Sequence, residues 1–227
     1  AHADRCGGCS VQHVPREEQL ALKQRMLAEH LQRAGNIAPP QWDEPLTGPE
    51  FGYRRRARVA VRWDVKARKL DVGFRAAASQ DIVAIADCPV LVQPLQPIMS
   101  GLPAVLQGLN KPQAIGHVEL FAATALCVLV RHTAPLPDGD LQALLAVCAQ
   151  HAAHLWLQGA RPPQPVQKDA PLGFALALRN PTQAYRPDVF PMINQAVTHS
   201  MIRNATASTV PHPQIRIIHV LPCVSYI

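Results

Sequence analysis

The sequence predicts an α+β fold in which antiparallel strands and hairpins pack against a few helices. Three observations carry this expectation. Residues 53–63 alternate basic and apolar with period two, the pattern of a half-buried strand. Residues 15–34 and 138–148 repeat apolar side chains at helical spacing. Strand-like stretches at 53–63, 70–74 and 81–86, and again at 116–121 and 125–132, follow one another across short connections.

Composition narrows the class further. A chain of 227 residues with 48 % hydrophobic content can bury one large core or two small ones. The six cysteines, at 6, 9, 88, 127, 148 and 223, are too sparse for the disulfide framework of a small secreted domain. With no hydrophobic signal region at the start, a reducing, cytoplasmic setting is expected. The longest apolar run, around Leu120 to Val130, is too short to span a bilayer and reads as a buried strand, so no membrane contact is expected. Prolines near residues 93–112 and 161–171 read as connections between elements.

The chain opens with Cys6 and Cys9 in a CxxC whose two glycines would let the backbone turn both sulfurs to one point. With no thioredoxin-like βαβ pattern beside it, the pair reads as metal ligands rather than a redox dithiol. Pro15 then starts a helix to about Ala34, with Glu17 and Glu18 in the first turn where they suit the dipole, Leu20, Leu27, Leu31 and Ala34 as an apolar stripe, and Gly35 as the stop. Cys88 follows the strand 81–86 and precedes Pro89, a position compatible with a third ligand or with a small buried residue. Asp138 or Asp140 should cap a helix carrying Leu141, Leu144, Leu145 and Cys148, which places Cys148, like Cys127 in its strand, on a core face. Strands near 154–157 and 172–178 complete the series. The ten histidines show no HxxxH or HExxH spacing, so no zinc-hydrolase site is expected.

The basic strand is the strongest functional signal. Arg54, Arg56, Arg58 and Arg62 fall on one face and Ala57, Val59, Val61 and Trp63 on the other. Same-face side chains recur about every 6.6 Å, a spacing suited to following phosphates. Between Phe51 and Arg75 nine basic residues oppose Asp64 and Asp71, a formal +7 against +6 for the whole chain. Charge concentrated in this way predicts a nucleic-acid surface; the alternative is an edge strand whose arginines only discourage aggregation.

Taken together, CGGCSVQH, LKQ, FGYRRRARVAVRW, LDVGFR, DIVAIADCPVL, GHVEL and LVRHTAPL resemble, in order over about residues 6–194, the bacterial 23S ribosomal RNA (uracil-5-)-methyltransferase family of the RlmD or RumA type. The resemblance implies a central domain with a [4Fe-4S] cluster over residues 1–184, its start cut off, and the truncated start of a Rossmann-like, S-adenosylmethionine-dependent methyltransferase domain over residues 185–227. It implies 23S ribosomal RNA as the partner and a [4Fe-4S] cluster and S-adenosylmethionine as cofactors; no protein partner is evident. In the family's C-x5-C-x2-C run Cys6 and Cys9 match the second and third ligands, Cys88 matches the distant one before Pro-Val, and the first would fall one residue before Ala1. Four thiolates normally hold such a cluster.

Two departures concern the chemistry. Residues 185–197 resemble the family's entry into the methyltransferase domain, where Phe190 and Asn194 match but Met192 replaces the glutamine that contacts the methyl donor. After about residue 202 the likeness stops, with no glycine turn for the adenosyl group and no acidic ribose ligand. In the family a thiolate attacks C6 of a uracil pulled from the RNA fold, C5 takes the methyl group, and a base removes the C5 proton. No residue here is assigned a catalytic role, and Cys223 does not sit in the family's nucleophile setting. The expected function is therefore the cluster-holding and RNA-contacting part of a 5-methyluridine-forming enzyme, inactive alone. The alternative is a non-catalytic iron-sulfur or zinc module that binds RNA.

Overall fold

The computed structural model describes residues 2, 4–38, 42–170, 174–176 and 183–185. Helix α1 (Arg16–Gly35) comes first, followed by β1 (Arg56–Asp64), β2 (Lys69–Arg75), β3 (Ile82–Val83), α2 (Gln96–Gln107), β4 (Ile115–Ala122), β5 (Leu126–His132), α3 (Asp138–Gln150), β6 (Ala153–Gln158), β7 (Gln164–Pro165), β8 (Phe174–Leu176) and β9 (Gln183–Tyr185). The first seven strands form one sheet in the order β3-β2-β1-β4-β5-β6-β7, and β8 pairs with β9 in a second. This is the α+β architecture expected. The expectations for residues 186–227, the start of a Rossmann-like domain among them, lie outside the described residues.

Strand β1 owes its conformation to the alternation read above: Ala57, Val59 and Val61 are buried while Arg58 and Arg62 are exposed. Asp64 ends it by accepting hydrogen bonds from the backbone of Lys66 (2.8 Å) and Ala67 (3.0 Å), which closes the turn into β2. Gly73 in β2 is required by packing, since a Cβ there would stand 2.0 Å from the carbonyl oxygen of Val83 in β3. On one face of the sheet Val59, Val61, Val72, Val118, Val128, Val130 and Leu155 join side chains of α2 and α3 in the main core. The opposite face carries the arginines and a smaller cluster of Phe121, Cys127, Leu129 and Trp156.

Several expectations need correction. The proline-rich stretch read as a connection contains α2, whose Ile98, Met99, Leu102 and Leu106 are buried. Pro97 sits in its first turn, where a missing N–H costs nothing, and Pro103 is tolerated within it. The apolar run 120–130 is two strands and their tight connection, not one strand, with Phe121 opposite Cys127. The neighbours β5 and β6 run parallel, joined by α3 as a crossover, a pairing the expected antiparallel strands and hairpins did not include. Strand 81–86 shrinks to Ile82–Val83. Helix α1 has no fully buried residue, and its leucine stripe is only half covered; its left-handed cap is Asn36 rather than Gly35. Asp140 does not cap α3. It is buried and accepts hydrogen bonds from the backbone N–H groups of Asn110 (2.7 Å) and Lys111 (2.9 Å) and from the Asn110 amide (2.8 Å), tying α3 to the loop before β4.

Candidate cysteine centre and basic sheet face

The amino-terminal loop lies along the end of β2. Cys6 bridges Ala76, the Gly7 N–H donates to Arg75 (2.9 Å), and the Ala77 N–H donates to Arg5 (3.1 Å). Gly7 answers to this close approach, because a Cβ there would meet the Arg75 and Ala76 carbonyl oxygens at 3.0 and 3.1 Å. Gly7 and Gly8 lie in a turn, as expected, though neither uses a positive φ. The Gly8 N–H donates to Cys6 Sγ (3.4 Å), which orients the sulfur within the loop.

Cys88 reaches the same region from the loop after β3. Gln96, in the first turn of α2, clamps that loop: its Oε1 accepts from the Cys88 N–H (3.2 Å), and its Nε2 donates to the carbonyls of Cys88 and Leu91. Burial pushes the Cys88 thiol up, against the backbone groups of Val90 and Leu91 and the charge of Arg54, which favour the thiolate; Cys6 is near enough to add to the rise. Arg54 connects the two loops. Its N–H donates to Val90 (2.7 Å) and its carbonyl accepts from Val92 (2.9 Å), while its guanidinium and Cys6 Sγ both lie within 4 Å of where a Gly8 Cβ would stand. Arg54 therefore precedes β1 and belongs to the cysteine region rather than to the row of strand arginines.

The donor chemistry, three cysteines with Cys9 buried among them, suits a soft metal or an iron-sulfur group. Cys6 and Cys88 are brought near each other, while among the described residues no group of three or more Cys, His, Asp or Glu side chains is placed to hold a metal ion. Cys127 and Cys148 are buried, and burial raises both thiols, that of Cys148 to about 12, which leaves them inert packing residues.

Strand β1 pairs with β4 over Arg56–Ala60 and with β2 over Ala60–Asp64, so it lies inside the sheet order while each of its arginines has a paired strand on one side. Each arginine of the strand meets an acid. Arg56 holds Glu119 through Nε (3.0 Å) and Nη2 and is itself largely covered. Arg62, half exposed, donates to Asp71 (2.9 Å) and approaches Asp81 (3.9 Å). Arg58 is 64 % exposed, with Nη2 3.3 Å from His117 Nδ1 and Nε 4.0 Å from Glu119. Burial pushes the Glu119 carboxyl up, but His117, with Nε2 3.3 Å away, and Arg56 outweigh it and hold the group below the usual carboxylate range. The Glu119–His117 pair was not anticipated. Its signal was present in IGHVELFA, where two titratable residues two apart interrupt an apolar strand and so share one face.

Comparison with known proteins places this arrangement. No family model matches the chain. The 23S rRNA (uracil(1939)-C(5))-methyltransferase RlmD of Pseudomonas fluorescens strain Pf0-1 is 61 % identical over 204 residues, 90 % of this chain and 44 % of the relative. The resemblance to the RlmD type is plain. The enzyme of the same name from Pseudomonas putida strain KT2440 is 60 % identical over 95 % of the chain and 48 % of the relative. The chain thus spans about half the length of the RlmD relatives it matches. Among solved structures, the Pyrococcus abyssi tRNA (uracil-54, C5)-methyltransferase, crystallised with S-adenosyl-L-homocysteine, superposes with a TM-score of 0.64 at 18 % identity, over 89 % of this chain and 50 % of that one. This likeness establishes the shared fold. No described helix is long and apolar enough to cross a membrane.

Proposed function

We propose that this chain is the RNA-contacting part of an S-adenosylmethionine-dependent methyltransferase that forms 5-methyluridine in 23S ribosomal RNA in the cytoplasm. The observation that carries the proposal is the identity of about 60 % with RlmD enzymes over nine-tenths or more of the chain. In this reading residues 1–184 are the central domain and residues 185–227 begin the methyltransferase domain. Arg58, and Arg62 once it exchanges Asp71 for phosphate, are the strand residues that meet RNA. Arg56 positions Arg58 by holding Glu119, and Arg54 lends its charge to the cysteine region. Cys6, Cys9 and Cys88 are the residues that would hold a [4Fe-4S] cluster, completed by a further ligand.

Anisotropy of a labelled 23S rRNA fragment, titrated with this chain at several salt concentrations, tests the reading. Saturable binding whose logarithm falls linearly with the logarithm of salt is expected. Absence of binding at low salt refutes it.

A further inference from the structure

We propose that the groove between α1 and the segment leading into β1 binds a single-stranded nucleotide. The inference rests on the RNA reading above and adds a second contact region to it. The groove is shallow and open to solvent, with a cavity of only about 70 Å³ at its floor, so a nucleotide would lie across its mouth rather than inside it. One wall is a single face of α1, formed by Arg16, Gln19, Leu20 and Lys23 at helical spacing; the other is residues 46–51 with Tyr53.

The lining offers what each part of a nucleotide needs. Phe51, at the rim, is 50 % exposed, a large aromatic surface left half in water on which a base can stack. Gln12 Nε2 is buried with no hydrogen-bond partner among the described residues, a costly state that an acceptor on a base edge would relieve. Gln19 donates its Nε2 to the Val14 carbonyl (2.8 Å), which directs its Oε1 to serve as an acceptor. Arg16 crosses between the walls with its Nη2 on the Gly48 carbonyl (2.9 Å), and its guanidinium carries further N–H donors that suit a phosphate. A lining with this many amides and charges fits a nucleotide better than an apolar peptide segment. The groove also adjoins the cysteine region, because Val90, which lines it, accepts the Arg54 N–H.

The test uses the intact chain, the 23S rRNA fragment and a short single-stranded oligonucleotide carrying 2-aminopurine, whose fluorescence falls on stacking. Phe51→Ala is expected to weaken oligonucleotide binding roughly five- to a hundredfold and to abolish the fluorescence change, while Phe51→Trp retains both. Gln12→Ala is expected to weaken binding without abolishing the fluorescence change. Thermal melts of both Phe51 variants should match the parent, since the side chain is half exposed. If the fragment binds the parent chain but Phe51→Ala and Gln12→Ala bind RNA with parental affinity, the groove assignment is overturned and the RNA reading stands. If the parent binds neither RNA, both fall together.

Discussion

Replacing Arg56 by Ala separates a structural arginine from a binding one. Arg56 gives the Glu119 carboxylate two charge-assisted hydrogen bonds, and both side chains are largely removed from water. Breaking a buried pair from one side costs about 3–5 kcal/mol. Here His117 at 3.3 Å and Arg58 at 4.0 Å remain near the carboxylate and offset part of that, so a destabilisation of about 2–3 kcal/mol at neutral pH is expected. The pH dependence has a fixed sign. Because the folded carboxyl sits below its unfolded value, its stabilisation is complete above the ordinary glutamate range and disappears as pH falls through the folded value. Without Arg56, burial dominates and Glu119 protonates more readily, so the gap between parent and Arg56→Ala should narrow below about pH 4.5. Urea melts of parent, Arg56→Ala and Arg58→Ala between pH 4 and 8 provide the measurement. Equal stabilities for the two variants at pH 7, or a gap that widens on acidification, would refute this account of the network.

Other expectations are simpler to check. Changing Arg58 and Arg62 together to Ala should leave the melt within about 0.5 kcal/mol of the parent and flatten the salt dependence of rRNA binding by roughly 0.7–0.9 for each phosphate no longer neutralised; an unchanged slope removes these residues from the RNA surface. Val59→Ala, from the opposite face and almost wholly buried, should cost about 1–3 kcal/mol in denaturant melts with RNA affinity intact under folding conditions. Anaerobic reconstitution with iron and sulfide should give the broad visible absorption of an iron-sulfur group, reduced by Cys88→Ser; colourless protein with stoichiometric zinc would exclude iron. Where the family resemblance implies a donor-contacting glutamine this chain carries Met192, and calorimetry of this chain with S-adenosylmethionine should show no saturable binding.

The sequence was most legible where one interaction dominates. Val59 and its neighbours alternate because one face meets a core, so period located β1; β4 and β5, buried on both faces, stood out instead as apolar runs. It was least legible where tertiary partners decide. Proline content hid α2, although Ile98, Met99, Leu102 and Leu106 carry a helical period within it. Asp140 has the local credentials of a cap, but the Asn110 and Lys111 N–H groups, about thirty residues away, claim its carboxylate. The arginines were visible as a row; their acids were not, since Glu119 and Asp71 arrive from different strands. Arg54 continued the alternation in the sequence, yet its pairing with the loop after Cys88 takes it out of the strand.

The seven-stranded sheet ends on two very short strands, β3 with two residues and β7 with two, of which Pro165 can donate nothing to a neighbour. Protection against edge-to-edge association of copies is therefore supplied by strand length and proline at the margins, not by charge at the centre. Neutralising the exposed Arg58 and Arg62 should leave solubility during refolding unchanged, whereas lengthening β7 by replacing Pro165 with Val should create a pairing edge and increase turbidity at high protein concentration.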